Sequence, residues 1–189
     1  MNKKIHDFLC ILIFPVLLAS CRTAEFGFRV VNISGMIYDF SNRPVPNCEI
    51  SLGRRYRSTT DINGRFTLQN VALGIYAITA YKEGFEVYSE GIIINGPEQI
   101  IYIRIPSQNQ LLNLVDEALV INNLALAEET IERAYQIDNN NIEMLFYYAT
   151  VKFRQQEYEG AISFLETAKS IGSRDLYIDK FLEILNGLF

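Results

Sequence analysis

The residues of this chain whose types and spacing could do chemistry are few, and the best-spaced set is Asp61, Asn63 and Gly64. Oxygen-bearing side chains at alternate positions followed by a glycine are typical of the start of a calcium-binding loop. The glutamate that closes such a loop further along is missing. Because Asn and Gly adopt left-handed backbone at low cost, the segment predicts a tight turn without a metal ion.

Histidine is too scarce to build a catalytic or metal site. His6 is the only histidine, and it lies between Lys3-Lys4 and an apolar run at residues 8–18. This arrangement is typical of a signal peptide, and the run is shorter than the roughly 20 apolar residues of a membrane span. A chain cleaved after residue 20 has no imidazole for a triad or a metal. We expect no enzyme and no cofactor, since no pair of carboxylates stands in a context typical of glycoside hydrolysis.

The four residues Leu18-Ala19-Ser20-Cys21 resemble the lipobox of bacterial lipoproteins. The resemblance implies a signal peptide over residues 1–20, a lipid on Cys21 and a tether over residues 21–29. Several acyl chains would hold the protein stably in a membrane. Because Arg22 is not an aspartate, the family's sorting habit implies the outer membrane, on either face. The alternative is an ordinary secretory signal in which Cys21 has no role.

The cysteines offer no internal disulfide in the mature chain. Cys10 is removed with the signal peptide and Cys21 is lipidated, which leaves Cys48 without a partner. Its neighbours Ile50 and Leu52 belong to an alternating segment, so Cys48 is predicted to be a buried, small apolar residue. An intermolecular disulfide is the alternative.

Short alternating segments separated by turn residues fill residues 30–106. Val31, Ile33 and Ile37 share one face of the first segment. Residues 59–81 contain two further segments, and we expect the second to return antiparallel beside the first. This spacing of short strands predicts a small antiparallel β-sandwich.

A set of spaced landmarks in this region resembles the carboxypeptidase regulatory-like domain, a transthyretin-like β-sandwich. Asn42 stands where the family usually has a glycine, and Asn also tolerates left-handed backbone. The resemblance implies a domain that supplies no catalytic residue. The landmarks are Ser34-Gly35, Asp39, Arg43-Pro44-Val45-Pro46, Thr60-Asp61, Asn63-Gly64-Arg65-Phe66 and Gly74-Ile75-Tyr76.

The pattern becomes helical over residues 107–189, where Gly and Pro nearly vanish. A comparison of this region with itself at an offset of 34 resembles tetratricopeptide repeats, of which the chain would hold two and a capping helix. Lys152 departs from the family's frequent aromatic, and Asn122-Asn123 replace a glycine turn. Because two repeats are few, we expect docking on the sandwich or self-association. The aligned pairs are Leu111 and Leu145, Leu114 and Tyr148, Val115 and Ala149, Leu124 and Tyr158, Ala127 and Ala161, Ile131 and Leu165, Ala134 and Ala168, and Ile137 and Ile171.

In tetratricopeptide arrays the first helix of each pair lines a concave groove, so the resemblance implies a groove that binds a protein or peptide partner. Exposed aromatic residues there would suit an extended peptide or a helix. The alternative is that Phe146 and Phe153 pack on the sandwich or on the final helix. The implied groove residues are Leu112, Asp116, Leu119, Phe146, Thr150 and Phe153.

Charge argues against nucleic acid as a partner, because residues 107–189 hold six Lys and Arg against thirteen Asp and Glu. Residues 22–106 hold nine against eight, and Arg54, Arg55 and Arg57 form a basic tip that could meet acidic glycans or lipid phosphates. A carbohydrate-binding sandwich is the second hypothesis. With no Trp, its stacking platforms would come from Tyr38, Tyr56, Tyr81, Tyr88 and Tyr102.

Overall fold

The computed structural model describes residues 29–172 and 175–187, so the predicted signal peptide and Cys21 lie outside the described residues. A strand-rich part is followed by a helical part, as the sequence predicts. The strands are β1 (Val30–Tyr38), β2 (Glu49–Leu52), β3 (Tyr56–Thr59), β4 (Arg65–Ala72), β5 (Gly74–Tyr81), β6 (Tyr88–Ile94) and β7 (Ile100–Arg104). The helices are α1 (Gln108–Val120), α2 (Leu124–Ile137), α3 (Ile142–Arg154), α4 (Tyr158–Ser170) and α5 (Leu176–Asn186).

The strands form two sheets with the orders β4-β1-β7 and β3-β2-β5-β6, which confirms the predicted sandwich. All pairings are antiparallel except that of β1 with β7, which is parallel. The alternation predicted for β1 is also confirmed, because Val31, Ile33 and Ile37 are all buried. The two sheets enclose one apolar core in which Cys48 is fully buried.

The predicted pairing of the two strands within residues 59–81 is wrong. β4 pairs with β1 and β5 pairs with β2 and β6, so the two strands lie in different sheets. Only Leu73 separates them, and the chain crosses there from one sheet to the other. Phe66 of β4 and Ile78 of β5 both point into the shared core. Alternation identifies the buried face of a strand and not the sheet to which it belongs.

Left-handed residues close the turns that the sequence marks. Asn42 has a φ of 58°, so the asparagine takes the conformation for which the family uses glycine. Gly64 has a φ of 73°, and a Cβ there would lie 2.5 Å from the Ile37 carbonyl oxygen. The Asp61 carboxylate accepts the backbone N–H groups of Asn63 at 2.8 Å and Arg65 at 2.9 Å. Asp61 therefore serves the turn.

The helices recur at the predicted interval. α1, α3 and α5 begin 34 residues apart at Gln108, Ile142 and Leu176. Each follows an N-cap side chain that accepts a backbone hydrogen bond, from Ser107, Asn141 or Asp175. Small residues let the paired helices approach closely: Ala127, Ala134, Ala161 and Ala168 are all fully buried. None of the described helices is long and apolar enough to cross a membrane.

The helices pack directly on the sandwich. The Arg133 guanidinium of α2 donates two hydrogen bonds of 2.7 Å to the Glu86 carboxylate in the loop before β6. The backbone N–H of Gln108 donates to the Gly84 carbonyl at 3.0 Å, and that of Glu86 donates to the Pro106 carbonyl at 2.9 Å. The link between the two parts, between Arg104 and Gln108, is therefore held from both sides.

Candidate protein-binding surfaces

The structure places the six predicted groove residues on α1 and α3, with unequal exposure. Leu112 and Leu119 are only 2% and 7% exposed and belong to the helical core. Asp116 is exposed, and Thr150 is half-buried. The two leucines therefore stabilise the helices and offer little surface to a partner.

Phe146 and Phe153 pack on the final helix, which is one of the two alternatives open from the sequence. The ring of Phe181 in α5 lies 6.0 Å from that of Phe146 and 5.3 Å from that of Phe153, both edge to face. Such aromatic contacts contribute about 0.5–1.5 kcal/mol beyond the area they bury. The two predicted anchors are thus partly covered within the chain.

Sequence reasoning missed the exposed side of α5. Leu176, Tyr177 and Ile184 are 62%, 74% and 59% exposed, and Lys180 is exposed between them. We call these four residues the α5 face. At an offset of 34, Lys180 is the counterpart of Phe146 and Ile184 the counterpart of Thr150. The same offset carried one helix further identifies these residues.

The concave face, formed by Asp116, Phe146, Thr150, Phe153 and the α5 face, is acidic toward α1. Burial raises the pKa of the neighbouring Tyr147 phenol, and the carboxylates of Asp116 and Glu143 add to the rise. These two carboxylates come from different helices and act on one phenol. At the other end of the face, Lys180 is positive. A partner on this surface would meet opposite charges at its two ends.

A second surface lies on the side of the first helix pair that faces away from α3. It is an apolar cavity of about 490 Å³, which we call the α1–α2 groove. Ile121 is 70% exposed and Leu126 is 43% exposed, so the groove is open. Its lining includes Leu114, Glu117, Ala118, Ile121, Leu126 and Thr130.

Lys152 explains how the second repeat manages without the family's aromatic residue. Its ammonium lies 2.8 Å from the Glu128 carboxylate and 2.9 Å from that of Glu157, and its side chain is only 15% exposed. Burial lowers the pKa of Lys152, but the two carboxylates outweigh burial and the pKa rises. The position therefore joins α2, α3 and the start of α4 by charge instead of ring packing.

The five tyrosines proposed for a glycan do not form one platform. The Tyr56 ring packs edge to face on Tyr76 at 5.8 Å, and the Tyr88 hydroxyl donates to Glu90 at 2.7 Å. Burial raises the pKa of Tyr88, and with the Glu90 contact brings it to about 12. Tyr81 and Tyr102 are exposed at 52% and 65%, on different sheets.

One of the exposed tyrosines lines a polar trough on the outer face of the four-stranded sheet. The trough has a volume of about 460 Å³ and is bordered by Tyr81, Glu49 and Arg57. Its floor carries the Ser51 and Thr79 hydroxyls, which hydrogen-bond to each other at 2.5 Å. Tyr38, whose hydroxyl contacts the Met36 sulfur at 3.5 Å, lies on the other sheet.

Metal chemistry finds no ready donors in this part of the chain. Within residues 29–172 and 175–187, no three side chains of His, Cys, Asp or Glu come together in a way that could hold an ion. Burial raises the pKa of the Cys48 thiol to about 11, so the thiolate is disfavoured.

Comparison with known proteins assigns the strand-rich part. Residues 32–101 match the carboxypeptidase regulatory-like domain. No curated protein matches the chain.

Parts of three solved structures are similar to this chain. An interface mutant of the type II Cohesin-X-Dockerin complex of Acetivibrio cellulolyticus shares 16% identity over 41% of this chain and 58% of that chain, with a TM-score of 0.37. The Bacillus anthracis TIE protein shares 15% identity over 41% of this chain and 16% of that chain, with a TM-score of 0.36. BcpA, the major pilin subunit of Bacillus cereus, shares 17% identity over 41% of this chain and 30% of that chain, with a TM-score of 0.31. The chain spans less than two thirds of each, and similarity at this level bears on neither its partner nor its activity.

Proposed function

We propose that this chain, whose residues 32–101 match the carboxypeptidase regulatory-like domain, is a non-enzymatic protein of the bacterial cell envelope that holds a protein partner. A lipid on Cys21 anchors it, most simply in the outer membrane. The sandwich serves as a spacer between the anchor and the helices. The lipobox-like residues 18–21 and the loss of His6 with the signal peptide support this proposal.

The observation that carries the partner proposal is the exposed α5 face in line with the concave residues of α3. Tyr177 and Ile184 are large apolar residues left open at 74% and 59%. They continue the row that Phe146 and Thr150 begin, because the helices repeat every 34 residues. A strip of this kind suits an extended peptide or an amphipathic helix of another protein.

Site-specific photo-crosslinking in the living cell tests the partner proposal. A photoreactive amino acid at Thr150, on the concave face, should capture one discrete protein. The matched control places the same amino acid at Glu166, which is exposed on the outer side of α4. The additional change Ile184→Asp should abolish the product from Thr150. Equal capture from both positions, or capture that survives Ile184→Asp in a folded protein, contradicts the proposal.

The anchor has its own test. Wild-type protein should carry acyl label and partition into detergent, and Cys21→Ala should do neither. A Cys21→Ala protein that still carries label would contradict lipidation at this residue.

The trough on the four-stranded sheet favours carbohydrate binding as the second candidate. Tyr81 could stack on a sugar ring while Glu49 and Arg57 bind its hydroxyls. Against a panel of envelope and host oligosaccharides, Tyr81→Ala should weaken any binding by about tenfold, a loss of roughly 1.4 kcal/mol. Tyr102→Ala removes an equally exposed ring from the other sheet and should leave binding unchanged. Flat responses of the wild-type protein across the panel would remove this candidate.

A further inference from the structure

The second helix pair shows what kind of element fits the α1–α2 groove. Tyr148 and Phe164 are the counterparts, 34 residues on, of Leu114 and Thr130 in the groove. α2 covers them, because the Tyr135 ring lies 5.8 Å from Tyr148 and 6.2 Å from Phe164. A helix therefore fills this surface in the second pair. In the described part of the chain no helix precedes α1, so the first pair is left open.

The charge of the groove sets the charge of the helix that fits it. Glu117 stands where the second pair has Val151, which is fully buried under its neighbours. Asp116 adds a second carboxylate at the same edge. A helix that covers Glu117 must bring a cation, since a covered and unpaired carboxylate costs several kcal/mol. The expected occupant is an apolar helix face with a Lys or Arg in its middle.

The α5 face has this composition. Lys180 lies one turn from Tyr177 and one turn from Ile184, with Leu176 beside them, and all four side chains are exposed. Among the residues that the structure describes, Lys180 forms no ion pair. α1 and α2 begin the helical array and α5 ends it, so the α5 face and the groove meet between copies.

We propose that the chain associates head to tail, with the α5 face of one copy seated in the α1–α2 groove of the next and Lys180 placed against Glu117. Two different surfaces meet, so each added copy offers a free groove and a free α5 face. This contact rests on the proposed function in one respect, since the α5 face is also one end of the concave face. The self-association is measured on the purified protein alone, whereas the partner is captured from Thr150 in cells.

Two variants separate the halves of the contact. Leu126→Glu blocks the groove and Tyr177→Glu blocks the α5 face. Both positions lie in the first turn of a helix, where a carboxylate is favourable, so the fold should persist. The full chain, purified in detergent, is measured by light scattering with correction for bound detergent. Wild-type mass should rise with concentration beyond a dimer, and each variant alone should remain monomeric.

An equal mixture of the two variants is the decisive sample. One variant keeps only its α5 face and the other keeps only its groove, so the mixture should form a dimer and nothing larger. Glu117→Lys or Lys180→Glu alone should weaken association by about tenfold, and the two changes together should restore most of it. Ile75→Glu, at a residue 80% exposed on the sandwich, is the matched control and should change nothing.

Three results would overturn the head-to-tail contact. These are a wild-type protein that stays monomeric at every concentration, a mixture that stays monomeric although both variants are folded, and either blocked variant that still associates alone. If any of them occurs while the crosslink from Thr150 persists, the partner proposal stands and only the self-association fails.

Discussion

Gln108 should be the side chain whose loss most weakens the helical part at its junction with the sandwich. Its amide nitrogen donates to the Ala134 carbonyl at 2.9 Å and to the Asp138 carbonyl at 2.8 Å. Its amide oxygen accepts from the Asn141 side chain at 2.8 Å. One residue thus closes the end of α2, supports the N-cap of α3 and begins α1, while being only 6% exposed.

The expected cost of Gln108→Ala follows from these contacts. Ala134 is fully buried, so its carbonyl cannot easily find water and should cost about 1–2 kcal/mol when left unpaired. Asp138 and Asn141 are less buried, and each lost bond there should cost roughly 0.5–1 kcal/mol. The substitution should therefore lower the free energy of unfolding by about 2–4 kcal/mol.

Urea denaturation followed by far-UV circular dichroism measures this loss, because that signal is dominated by the helices. The matched control is Gln136→Ala, at an exposed position of α2, which should change the free energy by less than about 0.5 kcal/mol. A Gln108→Ala protein as stable as the control would refute the role assigned to this side chain. The Glu86–Arg133 ion pair would then be the main tie between the two parts.

The remaining predictions concern the sandwich and its tie to the helices. Gly35→Ala should destabilise the protein by about 2 kcal/mol or more, because a Cβ there would lie 2.3 Å from a ring carbon of Phe66, while Gly91→Ala in β6 meets nothing within 4 Å and should be neutral in the same melt. A double-mutant cycle with Glu86→Gln and Arg133→Met should give a coupling of roughly 0.5–1 kcal/mol that shrinks in high salt, and a salt-independent value would be inconsistent with an ion pair. Asp39→Asn should cost stability at neutral pH and little in acid: burial raises the pKa of Asp39, but hydrogen bonds from Arg43 and Ser41 outweigh it and bring the pKa below the ordinary value of 3.8. Its stabilising charge is therefore fully present above that value and is lost as the pH falls through the lowered pKa, so equal losses in thermal stability at neutral and strongly acid pH would exclude it.

Local chemistry predicted several positions correctly. Cys48 is buried where its apolar neighbours place it, and Asn42 takes the left-handed conformation that its turn requires. The helix breaks also fall where expected, between Ile137 and Ile142. Each of these depends on residues within a few positions along the chain, so the sequence pattern contains the information.

Positions whose partners are distant in sequence were harder to predict. Phe146 and Phe153 were expected on an open groove, but both contact Phe181, about thirty residues away, which leaves the exposed residues on α5 instead. Their spacing marks a helix face and does not say whether another helix covers it. The groove itself stays a prediction for the partner experiment.

The segment from residue 59 to residue 81 shows the same division within the sandwich. Its alternation and its Asp61 to Gly64 turn determine two strands and their buried faces, because strand period and left-handed backbone are local properties. The sequence alone also determined the succession of a sandwich and a repeating helical array. Only the tertiary structure decided that β4 and β5 belong to opposite sheets and that Glu86 meets Arg133. Those contacts depend on how whole elements pack around a shared core, and many packings satisfy the same alternation.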